Sequence, residues 1–153
     1  MAREWAAEAV KSGIANSVRF LGGRDPEEVR DLYSTCDVNL FPPVNQSWGL
    51  TPFEALCAEK VSIVSSDCGA AELLAEQRIG VVCEPTAEAF AASILEVHRH
   101  PGKYRAMARR GRRFVAKNLT WGQYAEKVLK LMDDVCLAAP DPIGHPVARA
   151  RTQ

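Results

Sequence analysis

The stretch that decides the fold reads DVNLFPPVNQSWGLTPFEALCAEKVSIVS and covers residues 37–65. Its two ends, 37–41 and 61–65, are short apolar runs, which are typical of strands buried on both faces of a parallel sheet. Between them lie a polar loop with two prolines (42–50) and a helical pattern that opens at Thr51. A strand, a helix and a second strand in this order predict a parallel pair joined by a crossover helix.

The same alternation of apolar runs and amphipathic stretches continues on both sides of this unit. Ser17–Leu21 and Ile79–Cys83 are predicted as two further strands. The predicted fold class is therefore α/β, a parallel sheet with flanking helices. Further helices are predicted to open at Asp25-Pro26, to cover Gly69–Gln77, Ala87–His98 and Gly102–Lys117, and to start at Trp121 behind a Thr120 cap.

Length and composition favour one globular domain. The chain has 153 residues, 47% of them hydrophobic and 25% charged, and its 19 basic residues balance 19 acidic ones. We predict a domain over 1–138 and a disordered tail over 139–153, where prolines and a glycine cluster. The zero net charge argues against nonspecific binding to nucleic acid. No apolar run is long enough to span a membrane, and Glu4 and Glu8 interrupt the region where a secretory signal would be apolar.

Five cysteines, an odd number with no C-x-x-C pair, argue against a zinc site or a redox dithiol. Four of them stand among apolar residues, as buried thiols do, and this predicts free thiols in a reducing cytoplasm.

Ligands of parallel sheets bind beyond the carboxyl ends of the strands, and this rule selects the loops 22–24, 42–50 and 66–69. The loop 42–50 is the most informative of them, because Gly49 precedes a capped helix. The free amides near Leu50, Thr51 and Phe53 would point into the loop with the positive end of the helix behind them. Such a terminus binds phosphate, and Gly49 would allow a ligand to approach the backbone closely.

Glu54 has two interpretations from the residues alone. Its carboxylate could accept hydrogen bonds from sugar hydroxyls one turn into the helix. Alternatively, Thr51-x-x-Glu54 is a capping box, in which Glu54 only closes its own helix.

The segment Asn45–Leu56 (NQSWGLTPFEAL) resembles the donor-binding motif of the retaining GT-B glycosyltransferases, the family often called glycosyltransferase group 1. Residues 18–22, 31–41 and 61–69 resemble the segments that flank this motif in the family, in the same order. The resemblance covers about residues 16–135. It implies a Rossmann-like domain that binds a sugar nucleotide, an incomplete C-terminal half of the GT-B fold.

The resemblance also implies roles for individual residues. Two glutamates with seven residues between them bracket the family motif: the second matches Glu54, which is implied to hold the nucleotide ribose, and the first falls on Gln46. We expect this glutamine to lower turnover, because it keeps an acceptor but lacks the charge. The further implied substrate-binding residues are Trp48, the diphosphate-binding amides of Gly49, Leu50 and Thr51, and Glu72, whose alternative role is to begin a helix after Gly69.

Two departures from the family stand out. The family's small Gly and Pro before the strand at 61–65 are replaced by Glu59, Val61 and Ser62, which puts the local turn in doubt. The acceptor domain and two strands with their phosphate-binding loop have no counterpart in this chain. We therefore expect a companion chain or a homo-oligomer to supply them, since open parallel edges favour association.

The predicted function is the donor side of a glycosyltransferase that moves a sugar from a nucleotide-diphosphate sugar to an unknown acceptor, without a metal or other cofactor. The alternatives are a non-catalytic subunit that binds nucleotide sugar and an inactive truncated remnant. A basic stretch over 99–117 is interpreted as a solvated helix, with peripheral contact to anionic lipid headgroups as the alternative.

Overall fold

A computed structural model of the protein describes residues 2–138, the side chains of 3–136 among them. The predicted tail, 139–153, lies outside the described residues. The elements are α1 (Ala2–Lys11), a 3-10 turn (Ala15–Ser17), α2 (Pro26–Thr35), β1 (Val38–Phe41), α3 (Thr51–Cys57), β2 (Val61–Ser65), α4 (Gly69–Glu76), β3 (Val81–Cys83), α5 (Ala87–Arg99), α6 (Pro101–Asn118) and α7 (Trp121–Ala138).

The described strands form one parallel sheet in the order β1-β2-β3. Val38 pairs with Val61, and Ile63 pairs with Val81. All five residues of β2 are buried, because helices cover both faces of the central strand. The predicted α/β class, its parallel sheet and these three strands are confirmed.

The core has two parts, one on each face of the sheet. Val64 of β2 packs with residues of α3 and α4 and with Val115 of α6 on one face. Val61 and Ile63 pack with residues of α5 and α6 on the other. Alternate residues of one strand thus anchor opposite layers, and α6 contributes to both.

The predicted strand at Ser17–Leu21 is wrong. Ser17 ends the 3-10 turn, and residues 18–21 pair with no described strand. Phe20 and Leu21 remain 51% and 39% exposed. The alternating apolar residues fit a strand, but a strand also needs a neighbour to accept and donate its ladder hydrogen bonds, and no described strand pairs with this segment.

The turn before β2 forms despite its departure from the family pattern. Glu59 adopts a φ of 57°, in the left-handed region that favours glycine. Its carboxylate pairs with the Arg112 guanidinium at 2.8 Å, which links this turn to α6. The side chain therefore makes a contact that a glycine would lack.

One side of α6 is buried and the other is charged. A Cβ at Gly111 would overlap the Leu56 side chain, so this glycine lets α6 pack closely on α3. The basic side chains are exposed, and Lys103, Arg110 and Arg112 contact Glu96, the Arg78 carbonyl and Glu59. This arrangement agrees with the solvated-helix interpretation.

The last helix, α7, leaves apolar side chains uncovered. Its first turn is capped as predicted, with the Gln123 amide donating to the Thr120 hydroxyl at 3.3 Å. No helix in the described part of the chain is long and apolar enough to cross a membrane. The exposed large apolar residues of α7 are Trp121, Tyr124, Leu129, Leu131, Met132 and Val135.

The five cysteines are all free thiols, but the expectation that four of them are buried is wrong. Only Cys68 is buried, whereas Cys57 and Cys136 are exposed. Apolar neighbours in the sequence did not predict burial here, because burial depends on how the helices and strands pack against one another.

Candidate functional site between the loop after β1 and helix α2

The loop after β1 is joined to the turn after β2. The Gln46 amide donates to the Asp67 carbonyl at 3.2 Å, and the Gly69 amide donates to the Gln46 carbonyl at 3.1 Å. Asn45, with a φ of 54°, donates its amide to a carboxylate oxygen of Asp67 at 2.7 Å. These bonds fix the backbone on either side of Gln46 at the carboxyl edge of the sheet.

The side chains of this loop point in different directions. The Gln46 side chain is exposed and forms no hydrogen bond with the described residues. The Trp48 ring stacks on Phe53, with centroids 5.6 Å apart and an interplanar angle of 18°. Trp48 is still 43% exposed, so part of its ring can receive a ligand.

The two glycines of this region are required by packing within the protein. A Cβ at Gly49 would overlap the ring of Phe41, and a Cβ at Gly69 would overlap the Ser47 carbonyl. The Phe41 ring therefore occupies the space that a Cβ at position 49 would need, and this packing accounts for a glycine here.

Helix α3 begins without a side-chain cap. The N-cap is Leu50, with φ −84° and ψ −32°, and Thr51 is already the first helical residue. The predicted capping box is therefore absent, because the Thr51 hydroxyl lies one position too far along to reach the amide that a cap would bind. Instead, the backbone carbonyl of Leu50 accepts hydrogen bonds from the Phe53 and Glu54 amides, at 2.9 and 3.0 Å.

The amides at this helix start divide into two groups. Phe53 was expected to offer a free amide, and this is wrong because its N–H donates to Leu50. The amides of Gly49, Leu50 and Thr51 donate to no acceptor among the described residues. Leu50 is exposed and Thr51 is half-buried, whereas Gly49 is buried.

Glu54 does not close its own helix but faces α2. Its Oε2 lies 3.3 Å from the Tyr33 hydroxyl, which also lies 3.5 Å from the Thr51 carbonyl. Both side chains line a cavity of about 660 Å³ between α2 and α3. The cavity is also lined by Arg24, Pro26, Val29, Arg30, Cys57 and Ala58.

Charge in this cavity is unevenly compensated. Arg24 pairs with Glu28 at 2.9 Å, and Arg30 lies 4.0 Å from a carboxylate oxygen of Glu27. Glu54 forms no ion pair with any residue that the structure describes. Among the charged residues that line the cavity, Glu54 is therefore the one without an ion pair in the described part of the chain. Most hydrogen-bond acceptor sites of its carboxylate are unused there.

Two weakly acidic groups of the cavity wall, the Tyr33 phenol and the Cys57 thiol, have raised pKa values. Burial, with the Glu54 charge and hydrogen bond as further causes, raises the pKa of Tyr33 to about 12. Burial also raises the pKa of the Cys57 thiol, to which the nearby Glu54 charge contributes. Both groups therefore stay protonated at neutral pH.

Glu72 lies apart from this cavity. It stands in the first turn of α4, is exposed and forms no hydrogen bond with the described residues. The sequence pattern does not predict the contact of Tyr33 with Glu54, because nothing in the spacing of α2 indicates which residue faces α3. In the part of the chain that is described, no three His, Cys, Asp or Glu side chains group as metal ligands.

Comparison with known proteins places the chain in a family. Residues 3–114 match the family described as glycosyl transferases group 1. The chain is 25% identical over 126 residues to the alpha-1,3/1,6-mannosyltransferase ALG2 of Dictyostelium discoideum, covering 82% of this chain and 30% of that protein. It is 29% identical over 125 residues to a D-inositol 3-phosphate glycosyltransferase of Corynebacterium diphtheriae, covering 82% of this chain and 29% of the other.

Solved structures show the same fold. HepE from Anabaena, in complex with UDP, superposes with a TM-score of 0.79 at 18% identity, over 87% of this chain and 36% of that one. The C-terminal domain of LpcC from Francisella tularensis, a glycosyl transferase group 1 family protein, gives a TM-score of 0.63 at 20% identity, over 78% and 63%. The chain spans about 30% of the length of the curated relatives that it matches. With its Rossmann-like sheet and its matched residues, this chain belongs to the glycosyl transferases group 1 family.

Proposed function

We propose that this chain is the donor side of a glycosyltransferase, which binds a nucleotide-diphosphate sugar and passes the sugar to an acceptor held elsewhere. One observation carries the proposal: Glu54, which has no ion pair among the described residues, presents its carboxylate on the wall of a cavity of about 660 Å³ between α2 and α3. A carboxylate is suited to accept hydrogen bonds from ribose hydroxyls. Family membership and the likeness to a UDP-bound structure support the same ligand class.

The diphosphate would be bound by the amides of Gly49, Leu50 and Thr51, at the positive end of α3. Backbone amides directed at developing negative charge stabilise a leaving group, so this part of the proposal requires no metal ion. Equal affinity for UDP in EDTA and in magnesium is the expected result. A strict requirement for a divalent ion would contradict it.

Binding is tested first, by calorimetric titration of the full chain with UDP and GDP. Glu54→Ala is expected to weaken binding by about 1–3 kcal/mol, the cost of a lost hydrogen bond to a charged group. Its effect on unfolding is expected to be small, because Glu54 does not cap α3. The matched control is Glu88→Ala, which removes an exposed acid from the first turn of α5, away from the cavity.

The outcomes separate ligand binding from helix stability. If neither nucleotide binds the wild-type chain, the proposed function is wrong. If Glu54→Ala lowers the melting temperature while affinity stays unchanged, Glu54 serves the fold and not the ligand.

A second candidate function is a subunit that binds nucleotide sugar without catalysing transfer, and Gln46 favours it. An exposed amide with no hydrogen-bond partner among residues 2–138 stands where the family motif implies a carboxylate. Gln46→Glu is expected to raise donor hydrolysis or transfer if the chain is part of an enzyme. For a binding subunit, the same substitution leaves turnover at background.

The acceptor side and the missing strands would come from a companion chain or from other copies of this chain. The outer edge of β1 has no partner strand among the described residues, and Leu40 is 44% exposed there. Five free thiols favour a cytoplasmic setting for the complex. Light scattering is expected to show a species larger than one chain, and a sharply monomeric, cooperatively unfolding protein would contradict this.

A further inference from the structure

Tyr33 reaches Glu54 across the cavity between α2 and α3. Its hydroxyl oxygen lies 3.3 Å from Glu54 Oε2 and 3.5 Å from the Thr51 carbonyl. An ionised carboxylate only accepts hydrogen bonds, so the phenol is the donor. The contact joins two helices at the one charged group of the cavity that lacks an ion pair among the described residues.

Little else restrains the Glu54 side chain. It is exposed, and the capping box that would have tied it to its own backbone does not form. A free glutamate side chain loses rotamer entropy when it is fixed in one orientation. A hydrogen bond from Tyr33 meets part of that cost before a ligand arrives, which is preorganisation.

The Tyr33 contact leaves most of the carboxylate available. A carboxylate has about four lone-pair sites, and Tyr33 occupies one on Oε2. Oε1 is free to accept from the neighbouring hydroxyls of a ribose. With a pKa raised to about 12, mainly by burial, the phenol keeps its proton and remains a donor at every pH near neutrality.

We propose that Tyr33 is a positioning residue, which orients the Glu54 carboxylate toward the adjacent hydroxyls of the ribose of a nucleoside diphosphate. The inference rests on the proposed donor-binding function and adds a residue from α2 to it. It assigns α2 a part in recognition as well as in the fold.

The test is Tyr33→Phe in the full chain, which removes the hydroxyl and keeps the ring. Affinity for whichever of UDP and GDP binds more tightly is expected to fall about 3- to 10-fold, the scale of one lost hydrogen bond. Affinity for inorganic pyrophosphate, which has no ribose, is expected to stay unchanged. Tyr124→Phe is the matched control, because Tyr124 is an exposed tyrosine of α7 outside the cavity and is expected to change neither affinity.

A double-mutant cycle distinguishes positioning from a general structural role. In a Glu54→Ala background, Tyr33→Phe is expected to cause no further loss of nucleotide affinity, because no carboxylate is left to orient. Equal losses in both backgrounds, or an equal loss of pyrophosphate affinity, would overturn the inference.

Failure of the inference differs from failure of the proposed function. A wild-type chain that binds UDP or GDP while Tyr33→Phe binds equally well refutes only the role of Tyr33. A wild-type chain that binds neither nucleotide refutes both.

Discussion

Helices α2 and α3 begin with similar sequences and different structures. Asp25-Pro26-Glu27-Glu28 forms a complete capping box: Asp25 accepts from the Glu27 and Glu28 amides, and the Glu28 carboxylate accepts from the Asp25 amide. Thr51-Pro52-Phe53-Glu54 likewise has a cap-forming residue, then a proline, and a glutamate in the fourth position, but it forms no side-chain cap. At α2, side chains of the first turn accept the hydrogen bonds of its backbone amides. At α3, backbone amides and the Glu54 carboxylate are left to bind other partners.

The difference teaches that the position of the cap matters more than its composition. Asp25 stands before the helix, with φ −74° and ψ 165°, whereas Thr51 stands inside it because Leu50 has already turned. A closed helix start serves stability, and an open one beside a cavity is suited to a ligand. Three substitutions test this comparison.

The largest effect is expected from Gly49→Ala, just before α3. The new Cβ would overlap the Phe41 ring, which packs against the core, and such overpacking costs about 1–3 kcal/mol. The counterpart before α2 is Gly23→Ala, whose Cβ would meet no heavy atom within 4 Å and is expected to be neutral or slightly stabilising. Urea denaturation measures both, and an unchanged stability for Gly49→Ala would show that the ring moves aside freely.

A smaller effect is expected from Asp25→Ala, which removes the cap of α2. Loss of an N-cap typically costs about 1 kcal/mol, and the midpoint of urea unfolding should fall accordingly. Asp25→Asn is the control, because asparagine retains an acceptor for the same amides. If the alanine variant were as stable as the asparagine variant, the capping box would contribute nothing.

The smallest effect is expected from Thr51→Ala. Since this half-buried residue forms no cap through its hydroxyl, the free energy of unfolding should change by no more than about 0.5 kcal/mol. A loss as large as that of Asp25→Ala would mean that Thr51 caps α3 in solution, and the comparison would then fail.

The sequence predicted most of the local structure. The strands at β1, β2 and β3 and the helices from α2 to α7 follow from apolar runs, prolines and caps within a few residues. The prediction of a strand at 17–21 was wrong, because a strand forms only beside another strand, and the local sequence does not show whether one is present. The same apolar residues therefore stand exposed beside the 3-10 turn.

The candidate site was predictable only in part. The loop 42–50 and Glu54 were found from the motif and from the position of the loop after a strand. The approach of Tyr33 to Glu54 was not, because it depends on how α2 lies against α3. The packing of the Phe41 ring beside Gly49 likewise depends on tertiary structure, which the sequence pattern of a single segment does not predict.

The bonds from Asn45, Gln46 and Gly69 to the opposite loop have a practical consequence for protein engineering. A designer who transplants the segment 42–50 from a related transferase must bring the turn around Asp67 as well, since each supplies the other's hydrogen-bond partners. The two loops are one module for recombination, although a whole helix and a strand separate them along the chain.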